Sequence, residues 1–146
     1  MFVLDHAETA DPSRRTARTI TERLGTAGAV LGAAFILGIG GGYLVAPESM
    51  APNFGLPDWP RGAAVGFMNV KGVRDTVTGL ILFALLAARQ RRALGVAMVT
   101  IALIPTGDML TILIRRGSTA TAIGVHGLTA ALVASTGALL LRGEHR

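Results

Sequence analysis

The chain has 146 residues, of which 51% are hydrophobic and only 16% are charged, and its 14 basic and 9 acidic residues give a formal net charge of +5. An ordinary soluble domain carries about 25% charged residues, so this composition excludes a disordered tail and an acidic interaction domain and favours a membrane protein. The absence of cysteine excludes disulfides, thiolate metal sites and a cysteine nucleophile.

The N-terminal third contains a polar arm followed by a long apolar segment. Residues 1–23 are predicted to be a basic cytoplasmic arm, in which Asp11 before Pro12 is typical of the N-cap and first turn of an interfacial helix. Residues 24–46 contain no charged side chain, and a helix needs about 20 apolar residues to cross roughly 30 Å of hydrocarbon. The apolar core of a secretory signal peptide has only about 7–15 residues, so this segment is predicted to be a retained membrane anchor.

The second span is less obvious than the first. The segment between them is predicted to be a loop because it contains four prolines. The aromatic residues around this loop are expected to lie in an interfacial belt: Tyr43, Phe54, Trp59 and Phe67. The charge-free segment 76–88 is too short to cross a bilayer, so the span is predicted at 69–88 and must include Lys71, Arg74 and Asp75.

Two further spans are predicted, each with a polar residue inside it. The third, at 93–114, contains Asp108 shortly after Pro105. A proline leaves one backbone carbonyl without its helical partner, so a kink that turns Asp108 toward the protein interior is expected. The fourth, at 120–141, contains His126.

The four spans together predict an all-α, four-helix integral membrane bundle over residues 24–142, with a tight turn at 89–92 and a cytoplasmic tail at 143–146. Basic residues near the span ends indicate orientation, and with both termini in the cytoplasm nine arginines lie inside and three outside. The inner nine are Arg14, Arg15, Arg18, Arg23, Arg89, Arg91, Arg92, Arg142 and Arg146, and the outer three are Arg61, Arg115 and Arg116. The positive charge is therefore interpreted as the signal that orients the spans in a cell membrane. Nucleic acid is not an expected partner, because the sequence has no basic motif and no stacking aromatic residues.

The ionisable residues inside the spans are predicted to gather at one depth as a polar cluster of Lys71, Arg74, Asp75, Asp108 and His126. At a 1.5 Å rise per residue, Asp108 and His126 each lie roughly 9 Å below the outer surface, and Arg74 and Asp75 lie about one and a half turns down. The four formal charges sum to zero, as burial of paired ions requires. Arg74 is the expected bidentate partner of Asp108, and His126 is expected to donate to either acid. Asp75 is about 100° around the helix from Arg74, so the two are not expected to point along one line.

This cluster is compatible with several functions. The favoured one is a small-ligand or lipid binding protein or an accessory membrane subunit. The alternatives are a membrane-embedded isomerase or cyclase that exchanges a proton between Asp108 and His126, and a small proton-coupled transporter. A purely structural alternative is a cluster that only ties the helices together, with Lys71 and Arg74 reaching the outer head groups. No catalytic motif occurs, so catalytic residues stay unassigned.

Small residues in the first span predict close helix packing. Two small-xxx-small pairs occur, Gly28 with Gly32 and Gly38 with Gly42. They suit packing within the chain or against a second copy in a homo-oligomer. No metal or cofactor is predicted, because the spans hold one histidine and His6 and His145 lie on the tails. Membrane lipids and a lipophilic small molecule are the expected partners.

The order of short motifs resembles a known family. The motifs are a glycine-rich first span ending at Pro47, Phe54-Gly55-Leu56-Pro57, Lys71-Gly72-Val73-Arg74-Asp75 with Gly79, Pro105-Thr106-Gly107-Asp108, and His126. Over about residues 24–142 this arrangement resembles an uncharacterised family of small four-span bacterial and fungal proteins known only as a domain of unknown function. More remotely it is similar to the DoxX-like group of four-helix membrane proteins. The resemblance implies a fold and no activity.

Overall fold

Helices make up most of the described chain. The computed structural model describes residues 12–142, and within that range it contains helices, turns and no strand, which confirms the predicted all-α class. The four long helices are α1, Pro12–Val45; α2, Gly66–Ala87; α3, Arg91–Ile114; and α4, Thr119–Arg142. The predictions for residues 1–11 and 143–146, including His6 and His145, lie outside the described residues.

Three of these helices are long and apolar enough to cross a membrane: the Thr19–Val45 part of α1, α3 and α4. They coincide with the three segments that the sequence marks as longest and least charged. Helix α2 has 22 residues, about 33 Å at a 1.5 Å rise, which is long enough to span a bilayer. It also carries Lys71, Arg74 and Asp75, so its length alone does not make it an apolar span.

Many large apolar side chains point away from the protein interior. Exposed examples from all four helices are Leu31, Phe35, Phe67, Leu103, Ile114 and Leu132. The main buried cluster is small and consists of Ala29, Ala33, Leu82, Leu94, Met98 and Leu140. Contact with water would cost about 25 cal/mol for each Å² of this apolar surface, whereas lipid tails solvate it well. The arrangement is therefore compatible with a membrane protein.

The long helices pack closely where glycines face a neighbouring backbone. A Cβ atom on Gly40 of α1 would lie 2.5 Å from the Thr76 backbone nitrogen of α2, and one on Gly137 of α4 would lie 2.8 Å from the Gly95 carbonyl oxygen of α3. Gly25 of α1 packs against the Leu140 side chain of α4. These contacts place α1 beside both α2 and α4, and α3 beside α4.

The four glycines predicted to mediate packing have different surroundings. Gly28 packs against Thr136 of α4, and Gly32 lies near Met98 of α3. Gly42 lies close to the Met50 side chain of the connection that follows α1, whereas a Cβ atom on Gly38 would meet no atom of another described element within 4 Å. The tightest approach in α1 is at Gly40, which lies between the two members of the second predicted pair, because the face toward α2 is set by packing rather than by glycine spacing.

The helices are less regular than the sequence suggests. Residues 12–23 of the predicted arm are continuous with the first span in α1. The α1–α2 connection, predicted as a loop, contains a short helix, Pro47–Met50, and two 3-10 turns, Ala51–Phe54 and Gly62–Val65. Helix α4 contains a π-helical segment, Ala122–Gly127, which bears His126.

Helix α3 is interrupted near its proline, where a kink was expected. The interruption lies at Ala102, three residues before Pro105, between the segments Arg91–Ile101 and Leu103–Ile114. The Thr106 hydroxyl donates a 2.8 Å hydrogen bond to the Ala102 carbonyl, so a side chain supports the backbone at the interruption. Asp108 lies six residues beyond it.

Candidate functional site: a polar network at the end distant from the termini

The five predicted residues form one connected network in the distal half of the molecule, meaning the half nearest the α1–α2 and α3–α4 connections. Helix α2 supplies Lys71, Arg74 and Asp75, α3 supplies Asp108, and α4 supplies His126. The two connections also touch at this end, since the Ser118 backbone N–H donates a 2.8 Å hydrogen bond to the Gly55 carbonyl. Residues far apart in sequence therefore meet at one site.

Asp75 lies at the centre of the network and is 1% exposed. One carboxylate oxygen pairs with Lys71 Nζ, four residues earlier on the same helix face, and the other accepts a 3.0 Å hydrogen bond from Arg74 Nε. Although the two residues are about 100° apart on the helix, the long arginine side chain curls back around it to reach the carboxylate. A single buried carboxylate thus holds two cations.

Arg74 also reaches across to helix α3. Its Nη2 lies 3.4 Å from Asp108 Oδ2, a single contact rather than the expected bidentate pair. The Arg74 side chain is 40% exposed and that of Asp108 is 17% exposed. An ion pair this exposed contributes roughly 0–1 kcal/mol, so it is a weak link between α2 and α3. The Arg74 side chain is the most exposed of the ionisable side chains of the network.

His126 connects the network to the α1–α2 connection. Its Nε2 lies 3.1 Å from the Phe54 carbonyl oxygen, and its ring meets the Phe54 ring edge-to-face at 5.0 Å between centroids. Since a carbonyl only accepts, Nε2 is the protonated nitrogen in this contact. Nδ1 faces Asp108 Oδ2 at 3.9 Å, which is longer than a hydrogen bond. His126 therefore donates to a backbone carbonyl rather than to an acid.

His126 lies within the π-helical turn Ala122–Gly127 of α4. A π-turn replaces the usual hydrogen-bond spacing with i→i+5 bonds, and such turns occur frequently at functional sites. The Leu128 N–H accordingly bonds the Ile123 carbonyl. No local sequence signal marks this irregularity, except that Gly124 and Gly127 flank the histidine closely.

Two aromatic residues belong to the site although the sequence suggested a lipid-facing belt. The Tyr43 ring lies 4.7 Å from Lys71 Nζ, and the Phe54 ring lies 5.5 Å from it, so Lys71 makes cation–π contacts with both. Tyr43 is only 3% exposed and its hydroxyl donates a 3.3 Å hydrogen bond to the Met50 carbonyl. The interfacial-belt prediction is therefore wrong for Tyr43.

Two further residues that the sequence analysis did not select support the network. Asn69 Nδ2 donates a 3.2 Å hydrogen bond to the Tyr43 carbonyl, which ties the start of α2 to the end of α1. The Thr78 hydroxyl donates a 2.8 Å hydrogen bond to the Arg74 carbonyl one turn earlier in α2. Asn69 was visible in sequence only as the predicted start of the second span.

The charged side chains of the network balance one another, and some of them are partly exposed. Its two cations and two carboxylates carry no net charge, and its open groups are the Arg74 guanidinium and part of Asp108. Among residues 12–142, no group of three potential metal ligands is gathered at one place. The arrangement presents hydrogen-bond donors and an acceptor beside apolar helix faces.

The fold and site together define an all-helical protein whose apolar helices suit a membrane and whose internal charges gather at one end. The chain belongs to the DUF4267 family, which is described as a domain of unknown function and whose sequence model matches residues 33–140. The match includes the whole polar network and confirms the expected membership of an uncharacterised family. No curated protein and no solved structure matches the chain significantly.

Proposed function

We propose that the protein is a multi-pass protein of the cell membrane, a bundle of four spans with both termini in the cytoplasm. We further propose that it binds a lipid or a lipophilic small molecule at the polar network. The observation that carries the binding proposal is the exposure of Arg74. The Arg74 side chain is 40% exposed although it belongs to a network centred on the buried Asp75.

The charges of α2 are compatible with a fourth span. An isolated charge at the centre of a membrane helix costs roughly 2.5–3.5 kcal/mol, so such residues usually pair within the protein. Lys71 and Arg74 both pair with Asp75, and Arg74 also reaches Asp108. Because its charges are paired, α2 can cross the membrane beside the other three long helices, which are more apolar. The excess of arginines at the end that contains residue 23 and the 88–90 turn supports the cytoplasmic placement of that end.

Arg74 determines the kind of ligand that would fit. A guanidinium has five N–H donors, and the contacts of Arg74 within the described residues engage only Nε and Nη2. The network has no net charge, so a bound molecule need not be an ion. A carbonyl, hydroxyl or phosphoryl oxygen on an otherwise apolar molecule would use the remaining donors while its apolar part lies against the helices.

The contacts of His126 favour binding over proton transfer. An acid–base mechanism needs a histidine nitrogen that faces substrate, whereas both nitrogens of His126 face acceptors of the protein itself, the Phe54 carbonyl and the Asp108 carboxylate. The isomerase and transporter alternatives have no such geometric support. The proposed similarity to DoxX-like proteins depends on the motif order alone.

The binding proposal is tested with dioctanoylglycerol, an uncharged lipophile that carries carbonyl and hydroxyl oxygens. We expect it to raise the apparent melting temperature of the purified protein in neutral detergent, and we expect Arg74→Gln to remove most of that shift. Arg116→Gln is the matched control, because Arg116 is exposed in the α3–α4 connection and makes no contact with the network. Equal shifts in the wild type and Arg74→Gln, or no shift in the wild type, would contradict the proposal.

The topology is tested by labelling single cysteines in the naturally cysteine-free chain. Ser49→Cys lies in the α1–α2 connection and Gln90→Cys in the α2–α3 turn, and both positions are exposed. A membrane-impermeant maleimide should label the first in intact cells and the second only after permeabilisation. Labelling of both in intact cells would show that α2 does not cross the membrane.

A further inference from the structure

Two neighbouring cavities lie at the proximal end, the end opposite the polar network. The first is a shallow, open groove of about 470 Å³ whose lining residues are mostly polar and include Arg23, Thr26 and Arg91. The second, of about 250 Å³, has a largely leucine wall formed by Leu85, Leu86, Leu94 and Leu140. Thr26 and Arg91 line both cavities, so a polar compartment and an apolar compartment adjoin each other.

Arg91 has an unfilled hydrogen-bonding position between these compartments. Its Nη2 atom is buried and has no hydrogen-bond partner within the described residues. A buried donor left without an acceptor is costly, and more so when the group is charged. An acceptor supplied by a bound molecule would remove that cost.

The electrostatics of the two cavities favour an anion. Among the residues that the structure describes, their ionisable lining residues are Arg23, Arg89, Arg91 and Glu22, three positive groups against one negative. Helix α3 also begins at Arg91, so the positive end of its dipole lies at the same place.

We propose that the paired cavities bind an anionic phospholipid of the adjacent leaflet. The phosphate lies in the polar cavity against Arg23 and Arg91, and an acyl chain follows the leucine wall of the second cavity. Arginine suits this role because its planar guanidinium matches phosphate oxygens in a two-point contact. This site is separate from the polar network and does not depend on it.

The proposal is tested by titrating the full-length protein in neutral detergent with dioctanoyl phosphatidylglycerol, with native mass spectrometry as the readout. Arg91→Gln and Arg23→Gln should each weaken binding about tenfold, whereas Arg92→Gln should not change it. Arg92 is an exposed neighbour that lines neither cavity, so it is the matched control. Arg23 is itself exposed, so its variant keeps the test valid if Arg91→Gln fails to fold.

Two comparisons identify the source of the phosphate and separate this proposal from the previous one. Inorganic phosphate, added at the same concentration as phosphatidylglycerol, should displace little of the bound lipid, because phosphate cannot contact the leucine wall. If phosphate binds as strongly as the lipid does, the proposal is overturned. Arg74→Gln should bind phosphatidylglycerol normally, and Arg91→Gln should keep the response to dioctanoylglycerol. Unchanged lipid binding in both Arg91→Gln and Arg23→Gln would also overturn it.

Discussion

Replacing Asp75 with asparagine tests whether the buried carboxylate holds the distal half of the molecule together. The substitution keeps the side-chain shape but removes the charge that pairs with Lys71 and Arg74. Removing one partner of a buried ion pair costs about 3–5 kcal/mol, because the other charge is left uncompensated.

The surroundings of the two cations place the expected cost at the lower end of that range. Arg74 is 40% exposed and can turn outward, and Lys71 keeps its contacts with the Tyr43 and Phe54 rings. We therefore expect Asp75→Asn to lower the free energy of unfolding by about 3 kcal/mol. By the scaling for domains of this size, about 2–4 °C per kcal/mol, the melting temperature should fall by roughly 6–12 °C.

The measurement is thermal unfolding in a mild detergent, followed by circular dichroism. Asp108→Asn gives the internal comparison: its contact with Arg74 is longer and more exposed, so its cost should be about 1 kcal/mol or less. Glu48→Gln, which changes an exposed acid in the α1–α2 connection, is the control and should have no effect. A melting temperature for Asp75→Asn within 2 °C of the wild type, or a larger loss for Asp108→Asn, would refute the reasoning.

Two further predictions concern contacts between helices. A double-mutant cycle of Arg74→Gln and Asp108→Asn should give a small but measurable coupling of about 0.2–1 kcal/mol, since the 3.4 Å pair is partly exposed; strictly additive losses of unfolding free energy would show that the pair has no energetic role. Gly40→Ala should destabilise the protein by about 1–3 kcal/mol, because its Cβ would collide with the Thr76 backbone, whereas Gly38→Ala should be neutral or stabilising by up to about 1 kcal/mol. Thermal unfolding of both glycine variants checks this difference, and equal effects would contradict the close α1–α2 approach.

The polar network illustrates which parts of a site can be predicted from sequence. Rise per residue and helix direction brought Asp108 and His126 to a common depth, and both lie in the network. The individual partners were harder to predict. Depth along a helix does not specify side-chain conformation, so the curl of Arg74 onto Asp75 and the single contact to Asp108 were not foreseen.

The aromatic residues show a second limit of the sequence analysis. Tyr43 and Phe54 were expected at a lipid interface, because aromatic residues near span ends usually lie there. The fold of the α1–α2 connection instead brings both rings against Lys71. The same connection presents the Phe54 carbonyl to His126, 72 residues later in the chain.

The sequence by itself determined the helical class, the three long apolar helices and the residues whose charges need partners. These properties follow from composition, run length and the 1.5 Å rise of a helix, all of which are local. Only the tertiary structure decided that α1 meets α2 at Gly40 rather than Gly38, and that His126 donates to a backbone carbonyl. The physical reason is that helix rotation and the π-turn of α4 depend on packing by every neighbouring element at once, which no local pattern encodes.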